Sequence, residues 1–283
     1  MVYPTQSGPQ GRRFLQDPKI RSGQYQLAKR RQTMSDPVET LLHVDVDVVL
    51  PKELEPAAER AALRENPANL PLPAPGQPLE LAVLKANKWQ NGRQLRIRFL
   101  GGHPTVRERV LATAVEWTHD ANLSFLVVDD DEEAELRVSF EESGSWSYIG
   151  TQALAIPQAK ATMNFGWLHP DSPQAIYSQV VLHEFGHAIG CVHEHSVAGV
   201  AIPWNKPVVY EWYAQHQGWD RDKVDYNVFY RYAVGATNHS AFDPESIMVY
   251  PILKEFTLNG FEIPWRTHLS KTDKAWIAQV YPK

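Results

Sequence analysis

Hydrophobic and polar positions divide the chain into stretches with different periods. Residues 1–36 are polar and basic, rich in Gln, Gly and Ser, with neither the alternation of a strand nor the spacing of a helix. That composition predicts a disordered tail. Residues 41–50 alternate Val and Asp at a period of two, which predicts a short strand with Asp45 and Asp47 on a solvated face. Residues 56–64 read as a helix. Residues 66–78 form the most proline-dense stretch and lack the N–H donors for regular structure. The best domain boundary therefore falls there, giving an N-terminal extension over 1–77 and a larger domain over 78–283.

Beyond the linker the pattern becomes that of a folded core. Residues 94–100 alternate as a strand, and Gly101 and Gly102 end it. Residues 105–122 carry Val106, Val110, Leu111, Ala114, Val115 and Trp117 at helical spacing. Further strands are predicted at 124–128 and 135–140, on either side of the acidic turn 129–133. Strand, helix, strand, strand begins an α/β sheet layer.

Composition narrows the function. In 283 residues, 43% hydrophobic content and a net charge of -5 are those of a globular protein with a substantial core. No apolar run approaches the roughly 18 residues of a membrane span. The mildly acidic balance argues against nucleic acid as main partner, since phosphate binding needs a basic face. Arg12, Arg13, Lys19, Arg21, Lys29, Arg30 and Arg31 oppose only Asp17 in the first 32 residues, a run read as solvated. Its use as an adaptor arm is the competing reading. The first residues lack the apolar core of a secretory signal, so the sequence alone carries no export address and reads as cytoplasmic. Cys191 is the single cysteine, which excludes intramolecular disulfides and thiolate clusters and leaves His and carboxylates as metal ligands. Between ligand positions it reads as a small buried hydrophobe.

The chemistry concentrates in His183-Glu184-x-x-His187-x-x-Gly190-x-x-His193. Positions i and i+4 of a helix share a face, so His183 and His187 can aim imidazole nitrogens at one ion. Glu184, beside the first ligand, can reach a water on the metal without coordinating it, where a general base for hydrolysis stands. A continued helix would carry His193 off that face. Glycine at 190 can adopt the left-handed conformation that ends a helix and brings the third ligand back. Three neutral histidines leave Zn²⁺ an open position, as in catalytic sites.

These residues resemble the metzincin zinc metalloproteases, and Glu194 directly after the third histidine is similar to the astacin branch. Residues 246–250, Ser-Ile-Met-Val-Tyr, resemble that family's Met-turn. The resemblance implies that Met248 underlies the histidines and that Tyr250 stabilises the transition state. It further implies that Glu194 pairs with an amino terminus freed by pro-segment removal, a capping or salt-bridge role within the lower half being the equal alternative, and that Trp146, Ser147 and Tyr148 form the edge strand that binds extended peptide. Residues 269–281 resemble the closing helix, with Ser270 and Asp273 at its N-cap. Cys191 replaces a typical aromatic, Val249 a typical His, and Ser196 stands near where relatives carry Arg. The implied fold is α/β (α+β): a twisted mixed sheet with helices over 78–190, and an irregular lower subdomain over 191–283 with a C-terminal helix. The implied active-site cleft lies between the two.

The implied activity is zinc-dependent endopeptidase action on a peptide or protein substrate, and the family resemblance favours secretion. A zinc-bearing peptide-binding module is the alternative, opposed by the presence of Glu184. Relatives often block the zinc with a pro-segment carboxylate, so residues 1–77 are expected to serve latency or docking. For Asp45 and Asp47 the solvated face remains the default reading.

Overall fold

Strand β1 (Gln94–Phe99) sets the geometry, because its alternation sends Leu95, Ile97 and Phe99 to one face and Arg96 and Arg98 to the other. The computed structural model describes residues 45, 48–69, 87–196, 201–230 and 242–283. The basic tail, the 77/78 boundary and most of the predicted strand over 41–50 lie outside the described residues.

Leu95, Ile97 and Phe99 enter the larger core, whereas the arginines are paired. Arg96 donates to Glu135 at 2.7 Å, and Arg98 caps the carbonyls of Glu132 and Gln158. Helix α1 (Glu55–Glu65) matches the helix predicted over 56–64. Helix α2 (Pro104–Ala114) starts with proline in its first turn, where no N–H is needed. The predicted helix over 105–122 ends sooner, tightening into a 3-10 turn at Val115–His119. There the Thr118 hydroxyl donates to the Val115 carbonyl at 2.7 Å, and the Trp117 indole N–H donates to the Leu182 carbonyl at 2.9 Å. A local bond such as that of Thr118 competes with the helical ladder.

With β2 (Ser124–Val127), β3 (Leu136–Ser139), β4 (Ser145–Ser147) and β5 (Met163–Phe165), the sheet has the order β2-β1-β3-β5-β4. β2, β1, β3 and β5 are mutually parallel, and β4 is the antiparallel edge against β5. Helix α3 (Gln174–Ala188) packs on this sheet and is buried almost continuously from Tyr177 to its end, as a helix through the middle of a core must be.

A second core fills the lower half. It gathers Val209 and Tyr213 of α4 (Lys206–Gln217), Trp219, Val224 of α5 (Arg221–Val224), Val228, Val249, Ile252 and Phe256. The sequence reading does not single out α4. Its aromatics Tyr210, Trp212 and Tyr213 are buried or half-buried without a clean helical period, and only the αL glycine Gly218 (φ 66°) marks its end. Helix α6 (Lys271–Val280) returns to the upper core through Ile277 and begins with the expected box, in which Ser270 Oγ accepts from Asp273 N–H and Asp273 Oδ2 from Ser270 N–H. Beyond its end, the Tyr281 hydroxyl donates to the Ile189 carbonyl at 2.8 Å and accepts the Trp89 N–H at 3.1 Å.

Residues 48–69 pack on this domain. Leu50, Ala58 of α1 and Ile156 form a small buried cluster rimmed by Leu54, Tyr148 and Ala155. The Asn69 side chain donates to the Ala62 and Lys88 carbonyls and accepts the Lys88 N–H, while Asn66 donates to the Trp89 carbonyl. The Lys88 and Trp89 bonds sew the segment to the irregular stretch that leads into β1.

Candidate metal centre

The last turns of α3 carry His183 and His187 on one face, their rings 4.8 Å apart. Gly190 ends the helix with φ 101°. The Cys191 N–H bonds back to the Gly186 carbonyl and the Gly190 N–H to the His187 carbonyl, the Schellman pair that satisfies the terminal carbonyls. The reversal delivers His193, whose Nε2 lies 3.0 Å from that of His183 and 3.1 Å from that of His187.

Their protonation follows from their outer partners. His183 Nδ1 lies 2.8 Å from the Ile247 carbonyl and His187 Nδ1 3.0 Å from the Cys191 carbonyl. A carbonyl only accepts, so both Nδ1 atoms carry protons and both Nε2 atoms present lone pairs inward. Burial also holds the His183 imidazole below its ordinary pKa despite the neighbouring Asp45, which favours the neutral ligand form. Converging lone pairs at such distances call for a cation.

The fourth corner is Asp45. Its Oδ2 lies 3.0 Å from His193 Nε2, 3.5 Å from His183 Nε2 and 3.7 Å from His187 Nε2, and all four ligand atoms fall within 4.8 Å of one another. Zinc–ligand bonds of about 2.0 Å require tetrahedral edges of about 3.3 Å. The set of three histidines and one carboxylate therefore fits a zinc ion. Burial pushes the Asp45 carboxyl up, but its contacts with His183, His187 and His193 outweigh this and hold it well below the usual carboxylate range. The solvated-face expectation for Asp45 is thus overturned: the residue is buried, and an isolated parallel bridge joins it to Ser145. Asp47 lies outside the described residues.

Tyr250 closes one side. Its hydroxyl donates to the Asp45 carbonyl and to Asp45 Oδ2, both at 3.1 Å, and its ring lies 4.3 Å from that of His193. Met248 packs against Gly186, where an added Cβ would come within 2.3 Å of its sulfur. The Met248 carbonyl accepts the Glu194 N–H at 2.9 Å. Asp273 anchors this turn by accepting from Ser246 Oγ and from the Ile247 N–H. The C-terminal helix cap therefore fixes the carbonyl that orients His183.

Glu194 accepts the Asp243 N–H at 2.8 Å. Burial pushes its carboxyl up to about 7; the Asp243 N–H opposes this, while the Asp273 and Asp243 carboxylates add to it. Glu184 is buried on α3 beside His183. Trp146 and Ser147 lie in the edge strand β4 with Tyr148 directly after it, and the Trp146 indole N–H reaches Glu142 at 3.2 Å. Cys191 is buried, as expected, and burial raises its thiol pKa.

His195, which no sequence motif singles out, is fully buried, its ring stacked 5.2 Å from that of His193 and tilted 4.6 Å from that of Tyr250. Its only signal was a further histidine two positions after the third ligand. Among the described residues no helix is long and apolar enough to cross a membrane.

No family model matches the chain. The zinc metalloproteinase dpy-31 of Brugia malayi is 29% identical over 110 residues, 38% of this chain, and the chain spans 17% of that relative's length. One solved structure of myroilysin superposes with a TM-score of 0.68 at 42% identity, covering 71% of this chain and 98% of that one. A second myroilysin structure gives 0.56 at 43% identity, covering 70% of this chain and 86% of that one. With this identity over nearly all of a solved relative, and with zinc ligands converging as described, the chain belongs to the astacin family of zinc metalloproteases.

Proposed function

We propose that the chain is a zinc-dependent endopeptidase kept latent by its own N-terminal segment, with Glu184 as general base and Tyr250 as oxyanion donor. The observation that carries this reading is the convergence of His183, His187, His193, Asp45 and Tyr250 on one buried point. His183, His187 and His193 would hold the ion. Bound zinc supplies Lewis acidity toward a water and a scissile carbonyl.

Every other role falls to the chain. Glu184 takes a proton from the attacking water and returns it to the leaving amine. The Tyr250 hydroxyl, now donating to Asp45, turns to the substrate carbonyl oxygen as negative charge develops there. Trp146, Ser147 and Tyr148 offer the sheet edge to which an extended peptide adds as a strand. Asp45 takes both the fourth ligand position and the Tyr250 hydroxyl, so one carboxylate withholds two parts of the machinery.

Peptide cleavage by the full chain and by a chain starting at Leu79, each with and without a zinc chelator, tests the reading. The shorter chain is expected to cut several-fold faster and to lose activity with its zinc. Equal rates would remove the latency role, and chelator-resistant cleavage would remove the zinc mechanism. In the shorter chain Tyr250→Phe is expected to lower kcat more than it raises KM, since the phenol acts mainly in the transition state. A raised KM with unchanged kcat would assign Tyr250 to binding.

A further inference from the structure

The N-terminal segment touches the outer edge of β4 at Asp45. Asp45 bridges Ser145 in the parallel sense, and further along the segment Leu50 is buried in the cluster with Ala58 and Ile156. Of the residues around Leu50, Leu54 and Ala58 belong to the segment, whereas Tyr148, Ala155 and Ile156 belong to the domain beneath it. Departure of the segment takes away the plug and its own two walls and leaves those three side chains bare, directly beyond an unpaired strand edge.

We infer that this patch is a substrate subsite, which takes an apolar side chain about five residues on the amino-terminal side of the scissile bond. The inference rests on the endopeptidase reading above. Peptides that add to a sheet edge gain affinity from main-chain bonds and specificity from pockets for alternate side chains. Antiparallel pairing is the more stable per residue, so a substrate runs opposite to the parallel segment. Its residues before the scissile bond then extend from the histidines toward Tyr148. Leu50 lies five positions beyond Asp45, a reach of at most about 17 Å, which sets the position of the subsite in a substrate. Leu50 is therefore read as a stand-in for a substrate side chain, approached from the other direction.

The test uses the full chain after limited trypsin treatment, assayed until activity is constant. Four peptides share one cleavage sequence: one has Leu five residues before the scissile bond, one has Ser there, one is cut short before that position, and one has Ser there with Leu five residues after the bond. The Leu peptide is expected to show a kcat/KM about tenfold above the Ser peptide, as burial of a leucine predicts. Ile156→Ser and Ala155→Asp should each collapse that ratio toward one, and two variants guard against one that fails to fold. Equal kcat/KM for the Leu and Ser peptides, with the short peptide still cut, would overturn the subsite alone. No cleavage of any peptide would overturn the endopeptidase reading and the subsite with it. A preference that appears only when Leu is placed after the scissile bond would overturn the assigned side.

Discussion

Two segments reach the same buried point by different physical routes. The histidine segment is local: two ligands sit one helical turn apart, and a glycine reversal stitched by two backbone bonds returns the third. Asp45 arrives from 148 residues away from His193, held by a single bridge to Ser145, by Tyr250 and by the packing of residues 48–69. Local backbone geometry brings the three histidines together, with only the Ile247 carbonyl orienting His183 from a distant turn. The second depends on a surface segment being docked, so on the proposed latency the same cluster contains a permanent part and a removable one.

The sharpest separation of the two parts comes from Glu184→Gln in the chain starting at Leu79. The substitution keeps the shape of the side chain but removes its basicity. Cleavage is expected to fall by about 10² to 10⁴, the loss typical of a general base, with bound zinc still near one per chain by metal analysis. Retained activity would take the chemistry away from the histidine segment. Loss of zinc would show that Glu184 helps to build the site.

The same contrast explains what the sequence discloses. Ligand spacing at i and i+4 and a glycine that alone tolerates φ 101° are written in consecutive residues, so the histidine centre is legible from the amino-acid order by itself. β1 and the α6 cap are legible for the same reason, since alternation and Ser270 with Asp273 are local signals. Asp45 is not, because Val-Asp alternation is identical whether the aspartates meet water or histidines. Its fate depends on contacts with Ser145 and Tyr250 that no local period encodes. His195 and α4 escape notice likewise, since stacking between distant rings and an aromatic second core have no period of their own.

A smaller effect probes the removable part. Asp45→Ala in the full chain deletes the fourth ligand and the acceptor of the Tyr250 hydroxyl but leaves Leu50 and α1 in place. Charge-assisted contacts of this kind are worth roughly 1.5 to 3 kcal/mol, so peptide cleavage is expected to rise about tenfold, still below that of the chain starting at Leu79. Unchanged cleavage would mean that the docked segment blocks by bulk and that the carboxylate is incidental. A rise to the full level would assign all of the latency to that one side chain.

The smallest expected effect concerns how the segment stays on. Glu65, at the end of α1, lies 3.3 Å from Arg93 Nε, and its Oε1 also accepts the Gln90 N–H at 3.3 Å. Arg93 keeps a second partner in Glu135, at 3.0 Å. In Glu65→Gln the amide oxygen can still accept the Gln90 N–H, and Arg93 is not left alone, so only the charge of a partly exposed pair is lost. Such pairs contribute at most about 1 kcal/mol, and added salt weakens them further. Cleavage by the full-length Glu65→Gln chain should therefore rise less than about fivefold, with its gap from wild type closing as salt increases. If this variant matched Asp45→Ala, the latch would be the α1 ion pair rather than the carboxylate among the histidines. The removable part of the centre would then be governed from its periphery.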